Sequence, residues 1–210
     1  MERRRLGEIN RQATTIVAYQ IAILGDKATG KTALLNRWST GRFSSDYEAT
    51  VADIHRLSFK CAISGLSYPV LIFDVGGDRQ FPAMYQLRIQ QAQAFFLVFS
   101  VRSRRSFNEV KILRKQIYET KGDKNPVPII LVGNQIDEDD VACTREVSEK
   151  EARNLSIQWS CPYLETSARL GENVSQMYDT MLGTCREILG CPYAKRSKTK
   201  RKKIPRCAVQ

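Results

Sequence analysis

Short apolar runs recur along this chain, and between them lie stretches in which apolar residues return every three or four positions. The first kind predicts strands at residues 16–25, 53–63, 67–75, 92–101, 127–134 and 161–167. The pair at 53–63 and 67–75 is joined near Ser64 and Gly65. The second kind predicts helices over 31–40, 106–120, 147–157 and about 171–189. In the last of these, Val174, Met177, Met181, Cys185 and Ile188 form one stripe, which predicts a helix facing a core. Strands that are apolar almost throughout and alternate with helices imply an α/β fold. The expected architecture is a six-stranded, mostly parallel sheet with helices on both faces. Such sheets bind ligands at the carboxyl ends of their strands, so the chemistry belongs just after each run.

After the first strand the chain reads Gly25-Asp26-Lys27-Ala28-Thr29-Gly30-Lys31-Thr32, which fits GxxxxGK[ST] between a strand and a helix. The backbone N–H groups of such a loop and the following helix start form an anion cradle. Lys31 is expected to neutralise β- and γ-phosphates and Thr32 to ligate Mg²⁺. Asn134-Gln135-Ile136-Asp137 follows the fifth strand, and Glu165-Thr166-Ser167-Ala168-Arg169 ends the sixth. An aspartate at the fifth strand's end can accept two hydrogen bonds from the N1–H and amino group of guanine. Adenine offers no such donor pair, and a buried pairing of this kind discriminates strongly.

With these motifs in order, the chain resembles a Ras-family small GTPase from about residue 19 to 189. The resemblance implies a P-loop NTPase fold of the Ras-like G-domain type, GTP/GDP and Mg²⁺ as ligands, and hydrolysis of GTP. It implies that residues 25–32 and Ala33 hold the phosphates, with Lys31 catalytic, that Phe43 stacks edge-on on the guanine and that Tyr47 closes over the phosphates. Thr50 matches the first-switch threonine, a catalytic and Mg²⁺-binding position. Asp74 would hold Mg²⁺ through water, and the Gly77 N–H would meet the γ-phosphate. Asn134, Gln135, Asp137, Ser167, Ala168 and Arg169 would surround the base.

Several positions depart from the family pattern. Lys27 and Ala28 stand where two glycines are usual, Gly76 replaces an alanine, Ala49 a proline and Gln135 a lysine. Asp78 stands where the family has the catalytic glutamine that orients the attacking water. A carboxylate cannot donate to phosphate while accepting from water. Its charge opposes the γ-phosphate unless it is turned away or paired, and Lys27 is the candidate partner. Lys27 also fills the space through which an activating protein would insert its arginine, a device worth roughly 10³–10⁵ in rate. Together these departures imply slow hydrolysis. The alternative is that Asp78 is solvated within its loop and of little consequence.

Charge changes the picture at the end of the chain. The 210 residues are 42% hydrophobic and 26% charged, as in one soluble domain with a core. Eight of the net +11 charges come from Lys195, Arg196, Lys198, Lys200, Arg201, Lys202, Lys203 and Arg206, with no acid after Lys195. The basic signal therefore belongs to a tail, not to a nucleic-acid-binding face. The tail ends in Cys207-Ala-Val-Gln210, a CaaX box whose glutamine favours farnesylation of Cys207. One lipid gives marginal membrane residence, and basic residues beside an anionic leaflet supply the second signal. The expected site of action is the cytoplasmic face of the plasma membrane. Cys191 is a further acylation candidate, whereas Cys185 lies on the apolar stripe.

The expected organisation is a basic N-terminal extension at 1–17, expected to be disordered, a Ras-like G domain at 18–190 and a polybasic tail at 191–210. The six cysteines lack metal-ligand spacing and read as reduced thiols. His55, the lone histidine, sits on an edge-strand pattern and reads as structural. The resemblance further implies a monomer that meets effectors through its switch regions, with exchange factors and activating proteins as regulators. Two rival readings remain: a mainly GTP-bound scaffold that scarcely hydrolyses, and a P-loop nucleotide kinase or ATPase.

Overall fold

The computed structural model describes residues 19–45, 50, 52–60, 67–77, 82–122, 126–137 and 144–190, with the backbone alone at 59 and 60. The start of the first predicted strand and the connection near Ser64 and Gly65 lie outside these residues.

A six-stranded sheet carries the fold. Its strands are β1 (Tyr19–Leu24), β2 (Ala52–Lys60), β3 (Ser67–Val75), β4 (Ala94–Ser100), β5 (Ile129–Asn134) and β6 (Tyr163–Thr166). They lie in the order β2-β3-β1-β4-β5-β6. Only β2 runs antiparallel to its neighbour, with Asp53 opposite Asp74. The other pairings are parallel. The helices are α1 (Lys31–Thr40), α2 (Pro82–Gln91), α3 (Arg104–Lys121), α4 (Glu149–Trp159) and α5 (Val174–Leu189).

Side-chain alternation sends each strand's apolar residues to two cores. Ile21, Ile23, Phe96, Val98, Ile130 and Val132 pack with Leu34 and Leu35 of α1 and with Met177 and Met181 of α5. Ala22, Leu24, Phe95, Leu97, Phe99, Ile129 and Leu131 pack with Ile89 of α2, Phe107 and Val110 of α3 and Ala152 of α4. The sheet is buried on both faces, which is why its central strands are apolar throughout. The α5 stripe is buried from Val174 to Cys185, and it ends at Ile188, which is 38% exposed. Burial pushes the Cys185 thiol up to about 12, so it is an inert core residue.

Capping fits the sequence. Ser103 accepts the N–H of Ser106 at the start of α3, and Ser148 accepts that of Glu151 at the start of α4. The apolar pattern does not predict α2. That helix buries only Ile89, so it carries almost no stripe, although Pro82 suits a first helical position. Among the described residues no helix is long and apolar enough to cross a membrane.

Candidate functional site

The carboxyl ends of β1, β4, β5 and β6 open onto a cavity of about 430 Å³. Parallel pairing aligns these ends, with Ser100 opposite Asn134 and Asn134 opposite Thr166. Of the residues expected at the site, Lys27, Ala28, Thr29, Gly30, Ala33, Phe43, Asn134, Gln135, Asp137, Ala168 and Arg169 line the cavity. Tyr47, Asp78 and Cys207 lie outside the described residues.

The loop from β1 to α1 turns sharply at Ala28 and Gly30, where φ is 57° and 84°. A Cβ at Gly30 would stand 2.3 Å from the Asn134 Nδ2, so that position admits only glycine without movement. Lys31 is buried at the head of α1. Its ammonium donates to the carbonyls of Gly25 at 3.2 Å and Asp26 at 2.8 Å. Burial lowers its pKa to about 8, while the Asp74 and Asp26 carboxylates pull it the other way. A cation turned inward against loop carbonyls is poised to meet an anion brought into that loop.

Beside it, the Thr32 hydroxyl donates to Asp74 Oδ2 at 2.5 Å and lies 2.9 Å from the Thr50 hydroxyl. Asp74, next to last in β3, is buried, and its Oδ1 has no hydrogen-bond partner. Burial raises the Asp74 pKa, Thr32, Lys31 and His55 oppose that rise, and Asp53 adds to it. Two hydroxyls and a carboxylate with a free buried oxygen are hard donors that fit Mg²⁺. This ion takes few protein ligands and completes its shell with water and phosphate oxygens. Among the described residues no group of three or more acidic, histidine or cysteine side chains offers a different kind of metal site.

At the other end of the cavity Asn134 is a brace. Its Nδ2 donates to the Thr29 carbonyl at 2.9 Å, and its Oδ1 accepts from the Thr166 hydroxyl at 3.2 Å and the Ala168 N–H at 3.3 Å. Gln135, at φ 69°, donates through Nε2 to the Ala28 carbonyl at 3.1 Å. Asp137 Oδ1 accepts from the Ser167 hydroxyl at 2.9 Å, and that hydroxyl in turn accepts the Leu170 N–H at 2.9 Å. One hydroxyl thus fixes the carboxylate's direction.

Sequence reasoning missed the β4 end. Ser100, Arg102, Ser103 and Ser106 line the cavity as well. The Arg102 guanidinium donates to the main-chain carbonyl of Asp137. Arg105, in the first turn of α3, pairs with Asp26 of the loop between β1 and α1. The rule that ligands bind after parallel strands points to this segment too, but no fixed motif marks it.

The comparisons agree with the geometry. A family model described as Ras family matches residues 20–187. GTP-binding protein Di-Ras2 of Macaca fascicularis is 40% identical over 164 residues, covering 78% of this chain and 80% of that protein. Di-Ras2 of Mus musculus is 40% identical with the same coverage. GTP-binding protein Di-Ras1 of Homo sapiens is 36% identical over 164 residues, again 78% of this chain and 80% of that protein.

Proposed function

This chain belongs to the Ras family, and from that premise we propose that it is a guanine-nucleotide switch that hydrolyses GTP to GDP slowly at the membrane. The observation that carries the reading is the Asp137 carboxylate, held by Ser167 at one end of a cavity whose other end is the phosphate loop. One Asp137 oxygen is committed to that hydroxyl, and the carboxylate lines the cavity where a base edge would arrive. Phe43, 38% exposed beside the cavity, is suited to stack on the base.

At the phosphate end the loop N–H groups receive the phosphates, and Lys31 exchanges its loop carbonyls for their oxygens. Thr32, Thr50 and Asp74 would hold Mg²⁺, which when bound offsets phosphate charge. Thr50 and Thr32 meet across the segment that leads into β2, so ligand capture and the position of that segment are coupled. The effector surface of such a switch lies on this segment.

Slow hydrolysis follows from Asp78 and Lys27. A carboxylate can accept a hydrogen bond from the attacking water but has no N–H with which to donate to the phosphate. Lys27 lines the cavity, and its side chain is expected to occupy the route by which an activator's arginine would enter. A second reading, a mainly GTP-bound scaffold, rests on the same two residues. Attachment rests on Cys207 and the eight cations before it. In cells, Cys207→Ser is expected to move the protein to the cytosol, and neutralising Lys200 to Lys203 to weaken its attachment. Persistence of both variants on membranes would reject this anchor.

The deciding experiment is nucleotide competition on the purified full chain, with identification of the nucleotide that copurifies. GTP and GDP are expected to displace a labelled guanine nucleotide and ATP to fail. Equal affinity for ATP and GTP would favour a P-loop kinase or ATPase instead. Single-turnover hydrolysis then separates the slow enzyme from the scaffold.

A further inference from the structure

Asp26 is the second residue of the phosphate loop, and both oxygens of its carboxylate are engaged. Oδ1 accepts the Lys27 N–H at 2.8 Å. Oδ2 lies 3.2 Å from Nε of Arg105, in the first turn of α3. The Asp26 side chain is 13% exposed and that of Arg105 77%. The main-chain carbonyl of the same aspartate accepts the Lys31 ammonium at 2.8 Å and the Thr29 hydroxyl at 2.9 Å. A single residue therefore organises the loop through three acceptor atoms.

The backbone N–H groups of such a loop are its anion ligands. A carboxylate resting on one of them contests that donor with an incoming phosphate oxygen. It also brings a full negative charge beside a polyphosphate, where like charges repel. The charge is felt at the phosphate lysine: the Asp26 carboxylate draws the Lys31 pKa upward against its burial. Arg105 is the cation that offsets this charge, and it does so from outside the loop, on α3.

We propose that Asp26 and Arg105 form an ion-paired clamp that sets how long a guanine nucleotide stays bound. The proposal rests on the guanine-nucleotide reading above. With Arg105 in place the carboxylate is neutralised and drawn toward α3. Without Arg105 its charge is turned on the phosphates. The clamp also ties the phosphate loop to the start of α3, just beyond Arg102, which holds the Asp137 carbonyl. Both ends of the cavity are thereby fastened to one segment, and a strain on that segment reaches both.

The test is the release of GDP carrying a methylanthraniloyl group on its ribose, from the full chain with Mg²⁺ present and chased by excess GDP. Arg105→Ala is expected to release roughly three- to fivefold faster than wild type, the size of a solvent-screened ion pair. Arg105→Gln should behave alike, which guards against a folding defect peculiar to one variant. Arg105→Lys keeps the charge and is expected to stay within about twofold of wild type. Whatever the release rate of Asp26→Asn itself, adding Arg105→Ala to it should change nothing further. Raising the salt concentration should shrink the gap between wild type and Arg105→Ala. A purely structural role for Arg105 would leave its effect intact in the Asp26→Asn background and indifferent to salt, and either result overturns the clamp. So does an unchanged release rate in Arg105→Ala and Arg105→Gln. A wild-type chain that binds no guanine nucleotide would overturn the nucleotide reading and the clamp together, whereas tight binding with no charge dependence would remove the clamp alone.

Discussion

Asn134 and Thr29 are 105 positions apart in the chain and are joined by a hydrogen bond of 2.9 Å from the Asn134 side-chain amide to the Thr29 carbonyl. The bond ties the end of β5 to the loop between β1 and α1. The oxygen of the same amide accepts from Thr166 and Ala168, so three segments meet on one buried side chain. Asn134→Ala strands the Thr29 carbonyl, the Ala168 N–H and the Thr166 hydroxyl. At roughly 1 kcal/mol for each unpaired group the expected loss of stability is about 2–3 kcal/mol. Chemical denaturation measures it. Nucleotide affinity should fall in the same variant although Asn134 need not touch the ligand. A variant of wild-type stability would show that the three segments hold their places without the brace.

Asp137 should decide which base is bound. Asp137→Asn replaces an acceptor by a donor toward the ligand while keeping the side chain's shape. Two charge-assisted hydrogen bonds are lost, so GTP affinity should drop on the order of a hundredfold or more. Xanthosine triphosphate, whose ring offers an acceptor at that edge, should gain. Titration of both nucleotides against both proteins reads the exchange of preference. Parallel losses for the two nucleotides would mean that the aspartate supports the loop and does not read the base.

The central sheet was legible in the sequence. The strands of the central sheet announce themselves because burial on both faces leaves no room for polar residues. That the β1–α1 loop and the Asn134 to Asp137 segment line one cavity was legible because both carry fixed residue types at fixed spacing after a strand. α2 escaped because a helix that buries only Ile89 has no stripe to detect. Arg102 and Arg105 escaped for another reason. Each is one arginine in a basic segment, and its meaning comes from a partner far along the chain, Asp137 or Asp26. Such pairs are set by the crossing of strand ends, which residue spacing does not encode.

Tyr178 is a buried cost. Its ring stacks on Trp38 with centroids 3.8 Å apart and meets Phe96 edge-on, which fastens α5 to α1 and β4. Its hydroxyl is buried without a hydrogen-bond partner. Burial drives the phenol's pKa far above its ordinary range, with Asp74 adding to the shift. Tyr178→Phe keeps the stack and removes the unpaired hydroxyl, so it should stabilise the fold by about 1 kcal/mol. Thermal melting of the nucleotide-free protein is the measurement. A lower melting temperature would reveal a bound water that satisfies the hydroxyl.

Arg145 and Glu165 give the fold an acid limit. Arg145 donates to both Glu165 oxygens at 2.8 Å, and the Tyr163 hydroxyl adds a third bond at 2.6 Å. Burial tends to raise the Glu165 pKa, but these hydrogen bonds win and hold it below the usual carboxylate range. A depressed folded-state pKa means stability that is present above the unfolded value, near 4.5, and lost as pH falls through the folded one. Arg145→Ala should cost about 1–2 kcal/mol at neutral pH, less than a fully buried pair because Arg145 is partly exposed. The variant should also lose stability less steeply than wild type below about pH 4.5. Denaturation curves at a series of pH values compare the slopes, and parallel slopes would acquit the pair.

The rate of GTP hydrolysis should be limited from two sides of one phosphate. Gly77, the residue before Asp78, approaches the phosphate loop so closely that a Cβ on it would stand 2.2 Å from the Lys27 nitrogen. We propose that the two departures from the family pattern act on one phosphate, because the residue before Asp78 already touches the Asp26–Lys27 backbone. Asp78→Gln supplies a side chain that can accept from water and donate to phosphate at once. Its gain in single-turnover hydrolysis should be modest, because Lys27 still lines the cavity. Lys27→Gly alone should likewise give little, since no group then orients the water. The double variant should exceed the product of the two single effects, as neighbouring groups at one site couple. It should also gain sensitivity to an arginine supplied by an activating protein that recognises this surface, a response worth roughly 10³–10⁵ in rate. A wild-type rate equal to that of ordinary Ras-family members, unmoved by either change, would mean that Asp78 points into solvent and that the chain cycles like its relatives.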